Sequence, residues 1–228
     1  MRDDVAFIKA HTVLLAPALV PEIRLHLARA SREIFQAAEG HATTGGRWPP
    51  YWAFAWPGGQ GLARYILDHP SCVAGKRVAD IGAGSGLAAL AALRAGALSA
   101  LAVDPDPLAC AAMAQNAASN GLDLTIRNED PLGTEPDADL VLIGDLVYEP
   151  ELEIRVAAFL EAACRRGTEV LYGDRTTARR PPLDLMLLEE YRAPLSPALE
   201  DDHIEHALVW RLVLAATAGR PQGVGRRK

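Results

Sequence analysis

The segment from Val78 to Asp104 constrains this chain more than any other. A β-rich run, Arg77 to Ile81, ends in Gly82-Ala83-Gly84-Ser85-Gly86, passes into the apolar helical stretch Leu87 to Arg94, and returns as a second β-rich run, Leu98 to Asp104. A strand, a glycine-rich turn, a helix and a strand form the βαβ unit of a parallel sheet. In an open sheet of this kind, ligands bind outside the carboxyl ends of the strands. The alternation continues, with a helix from Leu108 to Ser119, strands at Leu124 to Asn128 and Asp139 to Asp145, a helix from Leu152 to Arg165, and a fifth strand at Glu169 to Asp174.

Two further extended pieces, Tyr191 to Leu195 and Ala207 to Leu214, follow a helix expected from Pro182 to Glu189. The polar link Glu200 to Glu205 makes the pair a hairpin. Five parallel strands and a hairpin predict a Rossmann-like α/β sheet of seven strands. Ahead of it, Pro21 to Ala38 reads as a helix, so residues 1–48 are expected to form an N-terminal helical extension. Residues 49–218 form the sheet domain, and 219–228 a flexible tail. A further helix is expected from Gly59 to Asp68, stopped by Pro70.

Spacing within the turn selects the ligand. A dinucleotide fingerprint wants its third glycine one position later, where this chain has Leu87. Asp80, Gly82, Gly84 and Gly86 instead form an acidic residue followed by three alternate glycines, which suits a ligand without phosphates. The ligand expected there is S-adenosylmethionine, with Asp80 placed to support its ammonium group and Asp104 to accept its ribose hydroxyls. Asn128, with Glu129 or Asp130 as competitors, is the candidate for the adenine edge; the competing reading is a helix cap.

Asp145-Leu146-Val147-Tyr148 follows the fourth strand, on the substrate side of the sheet. A methyl acceptor must present a lone pair, so a lysine ammonium must first lose its proton. A dry aromatic pocket favours that loss by desolvation. Asp145 is then placed to orient the cation and Tyr148 to bond the amine or wall the pocket. Helix capping by Asp145 and plain packing by Tyr148 stand against this. Tyr51, Trp52, Phe54 and Trp56 crowd four aromatic residues into six positions of a chain that is 6% aromatic. The cluster either holds the extension against the sheet or offers rings to cofactor and substrate cation, with Trp56 the choice for the cofactor.

Composition narrows the partners. A net charge of −6 supplies no general field for nucleic acid, although Arg175, Arg179 and Arg180 cluster locally. Cys72, Cys110 and Cys164 lack metal-ligand pairing and fit reduced, buried thiols, which leaves no metal site expected. No run of about 18 apolar residues exists to span a membrane. The N-terminus reads as neither signal nor transit peptide, so a cytoplasmic protein is expected.

Together, the glycine turn, the Asp145 to Tyr148 motif, the block Pro50 to Gly61 and the run Tyr65-Ile66-Leu67-Asp68 resemble the electron transfer flavoprotein β-subunit lysine methyltransferases. These are seven-strand protein methyltransferases with an Asp-x-x-Tyr motif after the fourth strand. The resemblance covers most of Pro49 to Asp174. It implies N-methylation of lysine in that β subunit, with Trp56, Asp80 to Gly86 and Asp104 at the cofactor and Asp145 and Tyr148 near the amine. A ribosomal protein L11 methyltransferase is the runner-up, against which the chain lacks room for a separate recognition domain. A nicotinamide oxidoreductase and a non-catalytic cofactor-binding protein are the rival classes.

Overall fold

A computed structural model describes residues 2–41, 48–133, 135–176, 179–194 and 204–213. The chain begins with α1 (Arg2–His11), a hairpin of β1 (Thr12–Leu15) and β2 (Leu25–Ala28), and α2 (Ser31–Glu39). A short 3-10 turn at Tyr51–Ala53 leads into α3 (Pro57–Asp68). Then come β3 (Arg77–Ile81), α4 (Leu87–Arg94), β4 (Ser99–Asp104), α5 (Pro107–Asn120), β5 (Thr125–Asn128), β6 (Leu140–Gly144), α6 (Pro150–Arg165), β7 (Glu169–Arg175), β8 (Leu185–Pro194) and β9 (Ile204–Leu212).

The main sheet has seven strands in the order β5-β4-β3-β6-β7-β9-β8. Its first five are parallel, and β9 enters antiparallel between β7 and β8. Side chains alternate between two cores, as the pleat requires. Leu140 and Leu142 of β6 face Leu62 and Ile66 of α3 and Leu90 of α4, whereas Val141 and Ile143 face Val156, Phe159 and Leu160 of α6. The strand order reverses between β3 and β6, the switch point at whose carboxyl ends open sheets of this kind bind ligands.

Local chemistry sets the helix ends. Asp106 caps α5 by accepting the Leu108 N–H at 2.9 Å, Pro107 occupies its first turn, and Gly121 closes it in the left-handed conformation at φ 66°. Helix α3 lies directly on the sheet because glycines meet there: a Cβ on Gly58 would fall 2.5 Å from the Gly173 carbonyl oxygen.

Three expectations need correction. The helix expected over Pro21 to Ala38 is strand β2 followed by α2, which starts only at Ser31. Ile23, Leu25 and Leu27 recur every second residue and all point into the core, which is strand spacing. The extension is therefore two helices around a hairpin, and it packs on α3, α4 and α5. The helix expected after Pro182 is replaced by β8, which runs from Leu185 and pairs with β9 along its length. The three cysteines are free but half-buried rather than buried. The expected tail at 219–228, the loop residues 42–47 and the link at 195–203 lie outside the described residues.

Candidate active site

The glycine turn follows β3, and Gly82, Gly84 and Gly86 all hold positive φ, at 69°, 53° and 78°. An L side chain is strained there. Its backbone is laced to β4: the Gly82 N–H donates to the Val103 carbonyl at 2.9 Å and the Gly84 N–H to Asp104 Oδ2 at 2.8 Å. Asp104 Oδ1 accepts from the Asp106 N–H at 3.0 Å. Asp80 is 3% exposed, and its Oδ2 accepts the Ala89 N–H at 3.0 Å, tying β3 to the first turn of α4. Burial pushes the carboxyl of Asp80 up to about 7, helped by the nearby Asp104 charge, and that of Asp104 up to about 6. Two buried carboxylates so raised form a place where a cationic ligand offsets desolvation. A Cβ on Gly84 would meet only the Trp52 Cα, at 3.8 Å.

Asp145 follows β6 and adopts φ 50°, the left-handed region, which Asp tolerates better than most residues. Its N–H donates to the Gly173 carbonyl at 3.0 Å, and its Oδ2 accepts the Gly59 N–H at 2.8 Å. It therefore caps a helix, but α3 rather than the α6 that follows it. Burial pushes its carboxyl up to about 7, against the Gly59 bond and the Arg175 charge. Next to it, Leu146 packs on the glycine turn so closely that a Cβ on Gly82 would lie 2.6 Å from Leu146 Cδ1.

Tyr148 stands 48% exposed, its ring 5.3 Å from that of Tyr51, edge to face. Tyr51 in turn meets Trp56 at 5.9 Å, and the Trp56 Nε1–H donates to the Tyr51 carbonyl at 2.9 Å. Rings 51, 56 and 148 thus form one aromatic wall beside Asp145, while Trp52 and Phe54 are buried among α2 and α5. The two middle residues of the aromatic block hold the extension against α5, while Tyr51 and Trp56 at its ends line the wall with Tyr148. The glycine turn, the Asp145 loop and the aromatic turn, far apart in sequence, meet at the carboxyl ends of β3, β4 and β6.

Asn128, at the end of β5, donates from its Nδ2 to the Asp104 carbonyl at 3.0 Å, across the β4–β5 pair. Asp130 pairs with Arg155 at 2.6 Å, and Glu129 Oε1 with Arg127 at 3.6 Å. Among the described residues, no group of three or more His, Cys, Asp or Glu is placed to hold a metal ion.

A sequence model described as ribosomal protein L11 methyltransferase (PrmA) matches residues 66–147. The electron transfer flavoprotein β-subunit lysine methyltransferase of Xenopus laevis is 36% identical over 215 residues, covering 90% of this chain and 85% of that one. The chain belongs to this lysine methyltransferase family. The Mus musculus member is 34% identical over 219 residues, with 90% and 82% covered. A solved structure from Pyrococcus horikoshii, assigned provisionally to RNA methylation, is 14% identical. It covers 80% of this chain and 96% of its own at a TM-score of 0.55, and so shares the fold.

Other groups stand around the methyltransferase site. Arg179 pairs with Glu153 at 2.9 Å, and Arg180 pairs with Asp174 while lying 4.6 Å over the Trp210 ring. Two of the three clustered arginines are thus committed within the protein. Asp174, fully buried at the end of β7, also accepts the Trp210 Nε1–H at 3.0 Å. Its place at a strand's carboxyl end is the signal that marks it as part of the site's surroundings. Tyr51 was visible only as one of four aromatics; its pairing with Tyr148 is a tertiary fact.

Proposed function

We propose that this methyltransferase transfers the methyl group of S-adenosylmethionine to lysine side chains of the electron transfer flavoprotein β subunit. One observation carries the chemistry: Leu146 of the Asp145 to Tyr148 loop lies against Gly82, so the acceptor motif and the donor turn share a wall. The protein substrate rests on the β-subunit enzymes that match nine-tenths of the chain.

Asp80 and Asp104 would hold the donor's ammonium and ribose, with Gly82, Gly84 and Gly86 admitting its backbone-sized end and Trp56 lying alongside. The donor supplies an electrophilic methyl carbon on a sulfonium. The lysine side chain enters past Tyr51 and Tyr148, whose ring faces attract a cation. Asp145 would bind the ammonium and align it; release of one proton to water, which desolvation of the cation favours, would expose the nitrogen lone pair. With the donor held alongside, that nitrogen would take the methyl group and the sulfur would leave as a neutral thioether. Proximity supplies the rate, since alignment replaces a bimolecular encounter.

Asn128 remains our choice for the adenine side through its place at the end of β5, with Glu129 beside it. We place the protein in the cytoplasm, where its unpaired thiols are at home, and expect no role for metal or nucleic acid. The second reading, a ribosomal protein substrate, is favoured by the L11 methyltransferase match, but that match ends before β7.

The deciding experiment incubates purified protein and radiolabelled S-adenosylmethionine with purified flavoprotein β subunit, and in parallel with ribosomal protein L11. Label on lysine of the β subunit is the expected result. Label on L11 alone would transfer the chemistry to the second reading, and label on neither would overturn both.

A further inference from the structure

Asn116, in the middle of α5, is completely buried and uses both ends of its amide on two different parts of the molecule. Its Oδ1 accepts the His26 N–H of β2 at 2.7 Å, and its Nδ2 donates to the Ser85 carbonyl inside the glycine turn at 2.9 Å. One helical turn later, Asn120 accepts the Arg24 N–H at 2.9 Å and donates to the Arg24 carbonyl at 2.7 Å. The two amides therefore satisfy the edge of β2 that faces away from β1.

The Ser85 carbonyl has a reason to need Asn116. Were α4 regular back to its first turn, that carbonyl would accept the N–H four residues on, at Ala89. The Ala89 N–H goes to Asp80 instead. Asp80 and Asn116 thus divide between them a bond the helix would otherwise close, one taking the donor and the other the acceptor. The residues on either side of Ser85 are the positive-φ Gly84 and Gly86, so the orientation of this peptide depends on what its carbonyl touches.

We propose that Asn116 is a positioning residue for the donor-binding turn, and that it seats the turn and the N-terminal hairpin together. This rests on the reading of Gly82 to Gly86 as the donor site. A ligand that orders the turn then also orders β2, and by linkage a well-seated β2 tightens the ligand. Asn120 bonds the hairpin at Arg24 and the Asn116 carbonyl of its own helix at 2.7 Å but makes no bond to the glycine turn, so it serves as the internal control.

The test uses the full chain and S-adenosylhomocysteine as probe. Amide hydrogen exchange is followed in the wild type with and without the probe, and binding and turnover are compared in Asn116→Ala and Asn120→Ala. The expected result is slower exchange both at Gly82–Gly86 and at His26 on binding. Asn116→Ala should weaken probe binding by roughly tenfold, the scale of one buried hydrogen bond, and raise KM for the donor while kcat at saturation stays near wild type. Asn120→Ala should bind like the wild type. Slower exchange at the turn with none at His26 overturns the coupling, as does equal loss of affinity in both variants. No protection at either place removes the donor-site reading itself. The wild-type exchange measurement decides the question even if Asn116→Ala fails to fold.

Discussion

A substitution of Asp145 to alanine would confound an observed role with a proposed one. The Asp145 Oδ2 caps α3 through Gly59, and in the proposed mechanism its charge meets the lysine cation. Asparagine keeps an acceptor oxygen and tolerates the φ of 50° that this position holds, so Asp145→Asn separates the two roles. We expect Asp145→Asn to melt close to the wild type yet to lose methyl transfer by about 10²-fold or more, the scale of a misplaced or missing polar group in the site. Asp145→Ala should lose both activity and about 1 kcal/mol of stability, as helix caps generally do. Thermal melts read beside initial rates check this, and a fully active Asp145→Asn would relegate the residue to capping. At the aromatic wall, Tyr51→Ala should raise KM for the protein substrate by roughly three- to thirtyfold, with donor KM unchanged, if its ring meets the lysine cation. Trp56→Ala should move the donor KM instead, and a shift in the other KM would exchange the two assignments.

Among the elements, α3 and the sheet meet through glycine, and two adjacent glycines are expected to behave oppositely. Gly58→Ala would drive a Cβ to 2.5 Å from the Gly173 oxygen and 2.7 Å from Asp145 Oδ2, whereas nothing lies within 4 Å of a Cβ on Gly59. The first change should destabilise by about 1–3 kcal/mol and disturb Asp145; the second should be neutral or slightly stabilising through helix propensity. Denaturant melts of both variants check it. This contact was not legible in the sequence, because no local pattern links Gly59 to Asp145. The five parallel strands were legible, since runs such as Leu140 to Ile143 are apolar without a break and end at glycine or aspartate, the signature of burial on both faces. The errors fell where local signals compete. Leu25 and Leu27 were read at helical period beside a true helix, and Leu185 to Glu190 holds good helix formers that pairing with β9 overrides. The glycine turn after β3 was legible to the residue; its bond to Asn116 and the Tyr51–Tyr148 ring pair were not.

For the molecule as a whole, the buried acids make stability and ligand binding depend on pH in a defined direction. Burial holds Asp80 and Asp106 near 7 and Asp104 near 6, above the ordinary carboxylate value. Between the two values the folded chain binds more protons than the unfolded one, so these groups lower stability as pH rises from about 4 to about 7. The ligand-free protein should therefore show a melting temperature that declines across this window from their contribution. Affinity for S-adenosylhomocysteine should rise over the same window, because its ammonium prefers the ionised Asp80. Asp80→Asn should flatten both trends; unchanged slopes in that variant would show that another group governs them.

The position of β9 has a consequence for how the protein is made. Strand β8 is synthesised before β9 but has its sheet partner only in β9, and β7 likewise waits for β9 to cover its outer edge. A chain emerging from the ribosome thus carries an open parallel edge and an unpaired ten-residue strand until residues 204–212 are available. Translation of β9 is what closes the sheet, and a chain halted before it would present to its neighbours in the cell an edge that β9 otherwise covers.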